Sequence, residues 1–213
     1  MSKLTYHILI ISGFALIAIA VTLYGYGLID DFFTGRRARN LFEQIGIEAG
    51  ENLPTVPSLT DDLDNEGYID GADLALFPAE VTSVSFNGLE FNIIGFVSIP
   101  KLKITLPIID RCTDELLKIS VCWYGGEMKP GPVRMILTAH NYRTHFGHIN
   151  RLVPGDEVIF QTINGVIYNY RVTELTEIAE DDQEGLSSGE WDLTLLTCTK
   201  DRVRRILVRC VLD

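Results

Sequence analysis

Hydrophobic and polar positions follow three successive regimes along the chain. From Leu4 to Ile29 there is no Asp, Glu, Lys or Arg, and most positions are apolar. These 26 residues exceed the ~20 that a helix needs to cross a bilayer. Tyr24 and Tyr26 stand where an interfacial aromatic belt would lie. Ala18-Ile19-Ala20 has the form of a signal-peptide cleavage site, but the apolar run continues too far for a signal peptide. The expectation is an uncleaved transmembrane helix within residues 1–29. Residues 30–79 read as an acidic linker or cap, with a short helix over Arg36–Gly50 that carries Leu41, Phe42, Ile45 and Ile47. Residues 80–213 read as a separate domain of short strands.

In that third regime the apolar positions recur in short runs divided by turn residues. The runs are Val81–Phe86, Leu89–Ile99, Ile104–Ile108, Leu117–Trp123, Val133–Ala139, Glu157–Thr162, Val166–Leu175, Asp192–Thr197 and Arg205–Leu212. Asn87-Gly88 and Asn164-Gly165 are hairpin signals, because both residues tolerate the positive φ of a tight turn. Many short strands with turns between them predict an all-β sandwich or barrel.

The last two strands organise the rest. Leu193–Cys198 and Arg204–Leu212 are separated only by the charged turn Thr199–Val203. Side chains alternate faces along a strand, so Ile206, Val208, Cys210 and Leu212 share one face, read as core. Arg205, Leu207, Arg209 and Val211 share the other. Arg205 is thereby expected level with Cys198 and pointing away from the core, with Arg204 frayed into the turn. A permanent cation beside a thiol favours the thiolate, which is the nucleophilic form. A cysteine nucleophile needs a base close in space. His7 lies in the apolar run, and His145 and His148 lie in a loop-like stretch. His140 directly follows the strand Val133–Ala139 and is the candidate.

Composition narrows the function classes. The net charge of −11 argues against nucleic acid as a partner. From Asn40 to Pro100 there are eleven acidic residues and no Lys or Arg, so the acidity belongs to the N-terminal half. Within it, Asp62, Asp64, Glu66 and Asp73, with Gly67 and Ile69, resemble a calcium loop. A structural calcium at residues 62–73 stands beside the plainer reading of a solvated linker. Four cysteines with uneven spacing do not make a disulfide framework. Cys112 and Cys122 are a possible pair, and Cys210 reads as core.

Thr194-Leu195-Leu196-Thr197-Cys198 resembles the TLxTC signature of the sortases, cysteine transpeptidases of Gram-positive cell envelopes. Ile94-Gly95 through Pro100-Lys101 with Leu106-Pro107-Ile108, Pro130-Gly131 through His140-Asn141, and Phe146, Leu152, Gly155 and Asp156 resemble further sortase segments in order. The resemblance covers Phe91 to Leu212. One departure is Ala139, where the family commonly has Gly before the histidine. A methyl group there is expected to narrow the groove.

The resemblance implies a closed eight-stranded β-barrel with His140, Cys198 and Arg205 as catalytic residues and no required cofactor. It implies cleavage of an LPxTG-like sorting signal on surface proteins. Transfer then follows to an amine of peptidoglycan precursor or a pilin lysine. It also implies that the loop Ile178–Gly189 selects substrate. Counting Lys3 against Arg36, Arg37 and Arg39 would place the domain inside the cell. The resemblance implies the N-terminus inside and the domain outside, and the expectation follows it. No Asp-Pro-aromatic lid precedes the barrel, which favours protein anchoring over pilus polymerisation. The alternatives are a membrane-tethered sortase-like scaffold without turnover and a cysteine peptidase that releases product to water.

Overall fold

The computed structural model describes residues 12–22, 36–41, 43–45 and 81–213. Nine strands form one continuous sheet: β1 Thr82–Phe86, β2 Leu89–Ile99, β3 Ile104–Ile109, β4 Val121–Gly126, β5 Met135–Thr138, β6 Glu157–Thr162, β7 Ile167–Ala179, β8 Leu193–Cys198 and β9 Arg204–Leu212. Their order is β1-β2-β3-β4-β5-β8-β9-β7-β6, and β6 also pairs with β2. That last pairing closes strands β2 to β9 into an eight-stranded ring, with β1 hanging outside as a hairpin partner of β2. Closure removes the exposed edges that an open sheet would carry.

Most neighbours run antiparallel. The exceptions are β3 with β4 and β5 with β8. Asn87 and Gly88 both have positive φ in the β1–β2 turn, as an Asn-Gly hairpin requires. Gly95, at the β2 register shift, has no room for a side chain: a Cβ would lie 2.5 Å from Gln161 O on β6. The barrel therefore closes through a glycine.

Alternation fills the interior. Val97, Ile99, Leu106, Ile108, Met135, Leu137, Phe160, Leu193, Leu195, Val208 and Cys210 form one buried cluster. Phe146 and Leu152, from the segment after β5, plug into the same cluster. Each fully buried aliphatic side chain contributes about 1.5–3 kcal/mol. Tyr170 crosses the core, donating its hydroxyl to Gly131 O at 3.2 Å and accepting from Gly131 N at 2.8 Å. It thereby ties the Pro130-Gly131 segment to β7.

A second cluster covers part of the outer wall. Residues 36–41 and 43–45 are helical, and Leu41 and Ile45 bury against Val84, Phe91, Ile93 and Ile109. Cys122 is buried in this cluster and Cys112 packs against it. The two residues are neighbours in this cluster, and all four cysteines are unbridged.

The structure corrects three expectations. Leu117 does not begin a strand. Thr113 caps a one-turn helix, Asp114–Leu117, by accepting from Leu116 N, and β4 starts at Val121. A local side-chain cap outcompetes extended structure there. Arg204 is not frayed into the turn: it opens β9, exposed at the rim, and donates to Glu177 O at 3.0 Å. The methyl of Ala139 enters the interior cluster, so it leaves the outer groove unnarrowed.

Residues 12–22 are helical and exposed. Among the described residues no helix is long and apolar enough to cross a membrane. The rest of the run Leu4–Ile29 and the acidic loop 62–73 lie outside the described residues.

Candidate active site

The site is built on three adjacent strands, β5, β8 and β9. On β8, Leu193 and Leu195 point into the barrel and Leu196 points out. Alternation therefore sends Cys198 outward, at the strand's end. On β9, Ile206, Val208 and Cys210 point in and Leu207 points out, which sends Arg205 outward. The β8–β9 register pairs Cys198 directly with Arg205. On β5, Met135 and Leu137 point in and Ile136 points out, and Ala139 continues the inward series just before His140.

The parallel register pairs Thr138 with Leu196, so two further residues bring His140 level with Cys198. One backbone bond and two side-chain bonds hold that alignment beyond the regular ladder. Ala139 N donates to Leu196 O at 3.2 Å and Thr197 Oγ1 to Ala139 O at 2.8 Å. Asn141 Nδ2 donates to Thr199 O at 3.0 Å. Adjacent strands lie ~4.8 Å apart, so His140, Cys198 and Arg205 form one row across the outer face. All three are half-buried. This is the trio expected from the sequence.

Other groups fall into place around the row. Arg205 Nη2 bonds Glu180 Oε1, from the segment between β7 and β8. The sequence shows Glu180 only as one of several acidic residues in that segment, and nothing in it names its partner. Tyr142 lies beside His140 at a tilt, with ring centroids 5.0 Å apart and 59° between the ring planes, and His145 meets Tyr142 edge-on at 5.8 Å.

His145 belongs to the loop, as expected, but it is fully buried. Burial, followed by the charge of His140, pushes its pKa down to about 4. It is therefore neutral at physiological pH. Among the described residues, no group of three His, Cys, Asp or Glu side chains is placed to hold a metal ion. Asp156 accepts from Val153 N at 2.7 Å and pairs with Lys101 at 2.7 Å, which fixes the loop behind β6.

A neutral or cationic imidazole, a thiol and a guanidinium in one row are the parts of an acyl-transfer site. They supply a proton carrier, a nucleophile and a fixed fork of donors for a developing oxyanion. The sortase family model, described as a sortase domain, matches residues 97–213. The chain belongs to the sortase family. Sortase A of Bacillus anthracis is 27% identical over 202 residues, covering 92% of each chain. Among solved structures, sortase C1 of GBS Pilus Island 1 aligns with a TM-score of 0.50 at 28% identity, over 57% of this chain and 64% of that one. Sortase C-1 from Actinomyces oris aligns with a TM-score of 0.52 at 26% identity, over 57% and 73%. Sortases are cysteine transpeptidases, and this chain carries the sortase barrel.

Proposed function

We propose that the protein is a membrane-anchored transpeptidase that joins surface proteins to a cell-wall amine, with Cys198, His140 and Arg205 as its catalytic residues. The observation that carries this reading is the single outward row formed by these residues at one end of β5, β8 and β9. Cys198 Sγ passes its proton to His140 and attacks the Thr carbonyl carbon of an LPxTG-like signal, and the carbonyl oxygen takes up negative charge. Arg205 donates N–H bonds to that oxygen. The C–N bond then breaks, His140 protonates the departing amine, and a thioester remains on Cys198. An incoming amine from peptidoglycan precursor or a pilin lysine loses a proton to His140 as it attacks the thioester. The Cys198 thiolate leaves and takes the proton back from His140, and a new amide is formed.

The apolar run Leu4–Ile29 supports an anchor, and membership of the sortase family supports a domain outside the cell. A structural calcium at residues 62–73 is part of the same proposal, and the chemistry does not need it.

The test uses the full chain in detergent micelles, a library of LPxTG-like peptides and triglycine as the amine. Products are read by mass spectrometry. Amine-linked product that disappears with Cys198→Ala supports the transpeptidase. Hydrolysis indifferent to triglycine means a peptidase. No thioester adduct with any peptide, with or without calcium, means a scaffold.

A further inference from the structure

The segment between β7 and β8 is held by its backbone. Arg209 donates to Gly185 O at 2.6 Å and Leu186 O at 3.1 Å. Arg134 donates to Ser187 O and Gly189 O, both at 2.6 Å. Trp191 Nε1 donates to Ser188 O at 2.9 Å. Five successive carbonyls, 185 to 189, are thus each taken by a side chain from outside the segment or its edge. Both guanidiniums also lie over the Trp191 ring, at 5.2 and 4.8 Å from its centroid. Leu186 packs with Trp191, Ile136, Leu196 and Leu207 beneath. At the other end of this short helical turn, Asp182 accepts from Gly185 N at 2.7 Å. A Cβ on Gly185 would stand 2.4 Å from Asp182 Oδ2, so a side chain there would displace this carboxylate.

Registers place this clamp relative to the site. Arg209 pairs with Thr194, and Arg205 with Cys198, on the same outer face. The clamp therefore grips the wall four residues, roughly 13 Å, from the catalytic row. The segment spans that distance and delivers Glu180 to Arg205. Arg205 is 21% exposed and Glu180 65% exposed, and ion pairs so open to solvent add little to stability. Their geometric effect is larger. A free arginine side chain has many rotamers, and a carboxylate on one Nη leaves the rest of the fork with a fixed direction.

We propose that Arg134, Arg209 and Trp191 are positioning residues for the transfer reaction: they lock the β7–β8 segment by its carbonyls and so hold Glu180 on Arg205, presetting the oxyanion-binding cation before substrate arrives. This rests on Arg205 acting as the oxyanion partner. In such a device the segment is a rigid wall, and no closure step is needed to complete the site.

The test compares Arg134→Ala, Glu180→Gln, the double variant and Arg205→Ala, in the full chain in detergent, with a reactive LPxTG-like peptide and triglycine. Arg134 and Glu180 are exposed, so both variants fold with Tm within about 3 °C of the parent. Each single change is expected to lower kcat about tenfold with KM within twofold. The double variant should also lose about tenfold, because both act through one contact. A hundredfold loss in the double variant would mean two independent effects and overturn the linkage. Unchanged kcat in Glu180→Gln, beside a large loss in Arg205→Ala, overturns the inference alone. Full activity in Arg205→Ala overturns the role of Arg205 itself, and the inference with it.

Discussion

Two cysteines on neighbouring strands show how one wall of the barrel serves two ends. Cys210 and Cys198 belong to β9 and β8, which pair along the whole of β8. Cys210 lies on the inward face, fully buried among Leu193, Val208 and other apolar side chains, and burial pushes its thiol pKa up. Cys198 lies on the outward face, half-buried and opposite Arg205. The same residue type is a packing unit in one place and a candidate nucleophile in the other. Strand parity decides which, and the inner face can stay dry and close-packed while the outer face carries charge.

Substitutions that treat the two faces alike would break this contrast. Cys198→Ala is expected to cut transfer at least about 10³-fold with an unchanged urea midpoint. Cys210→Ala should keep kcat within twofold and cost about 1–2 kcal/mol in stability. Arg205→Ala is expected to lower kcat by about 10²-fold or more, as loss of an oxyanion donor does elsewhere. Equal activity losses at both cysteines would show that the faces are not separate.

Leu195→Ala sharpens the inner side. Leu195 is fully buried, and its truncation should cost about 2–5 kcal/mol by urea unfolding, with kcat of the folded enzyme preserved.

His145 gives a smaller, pH-dependent effect. Its folded-state pKa of about 4 lies below the ordinary 6.5, so the unfolded chain takes up the proton first. Stability from neutral His145 is complete above pH 6.5 and is lost as the pH falls from there through 4. At pH 4.5 the loss is about 2–3 kcal/mol relative to pH 7. His145→Phe should reduce the acid-induced drop in the urea midpoint by that amount. An identical drop in parent and variant would show that His145 plays no part in it.

Local pattern carried much of this. Parity alone separated Ile206, Val208 and Cys210 from Arg205. The two hairpin signals fall in the β1–β2 and β6–β7 turns, and the strand before His140 is legible because β-branched and apolar residues end at a polar one. Features set by distant partners were not legible. β7 runs on to Ala179 through Thr176 and Glu177 because β9 pairs with it there, although those residues are polar. The burial of His145 depends on how the 141–148 turn folds back onto the barrel, and the turn's polar composition hides it. The bond from Glu180 to Arg205 and four of the five captured carbonyls join residues far apart in sequence. Acidic residues in a loop look the same whether or not a cation waits across the sheet.

The parallel join of β5 and β8 has a consequence for the order in which the molecule acquires its chemistry. Parallel strands cannot form as a hairpin; they must wait for the chain between them to fold or be carried round. Thr138 and Leu196, which this join pairs, are 58 residues apart in the chain, so His140 and Cys198 meet only when β5 and β8 come together. Such long-range joins come late in folding because loop closure costs entropy before contacts repay it. An extended or half-folded chain therefore holds a solitary histidine and an ordinary thiol. Reactivity arrives with that join, and a chain in which it fails to form is chemically inert toward the peptides it would otherwise cut.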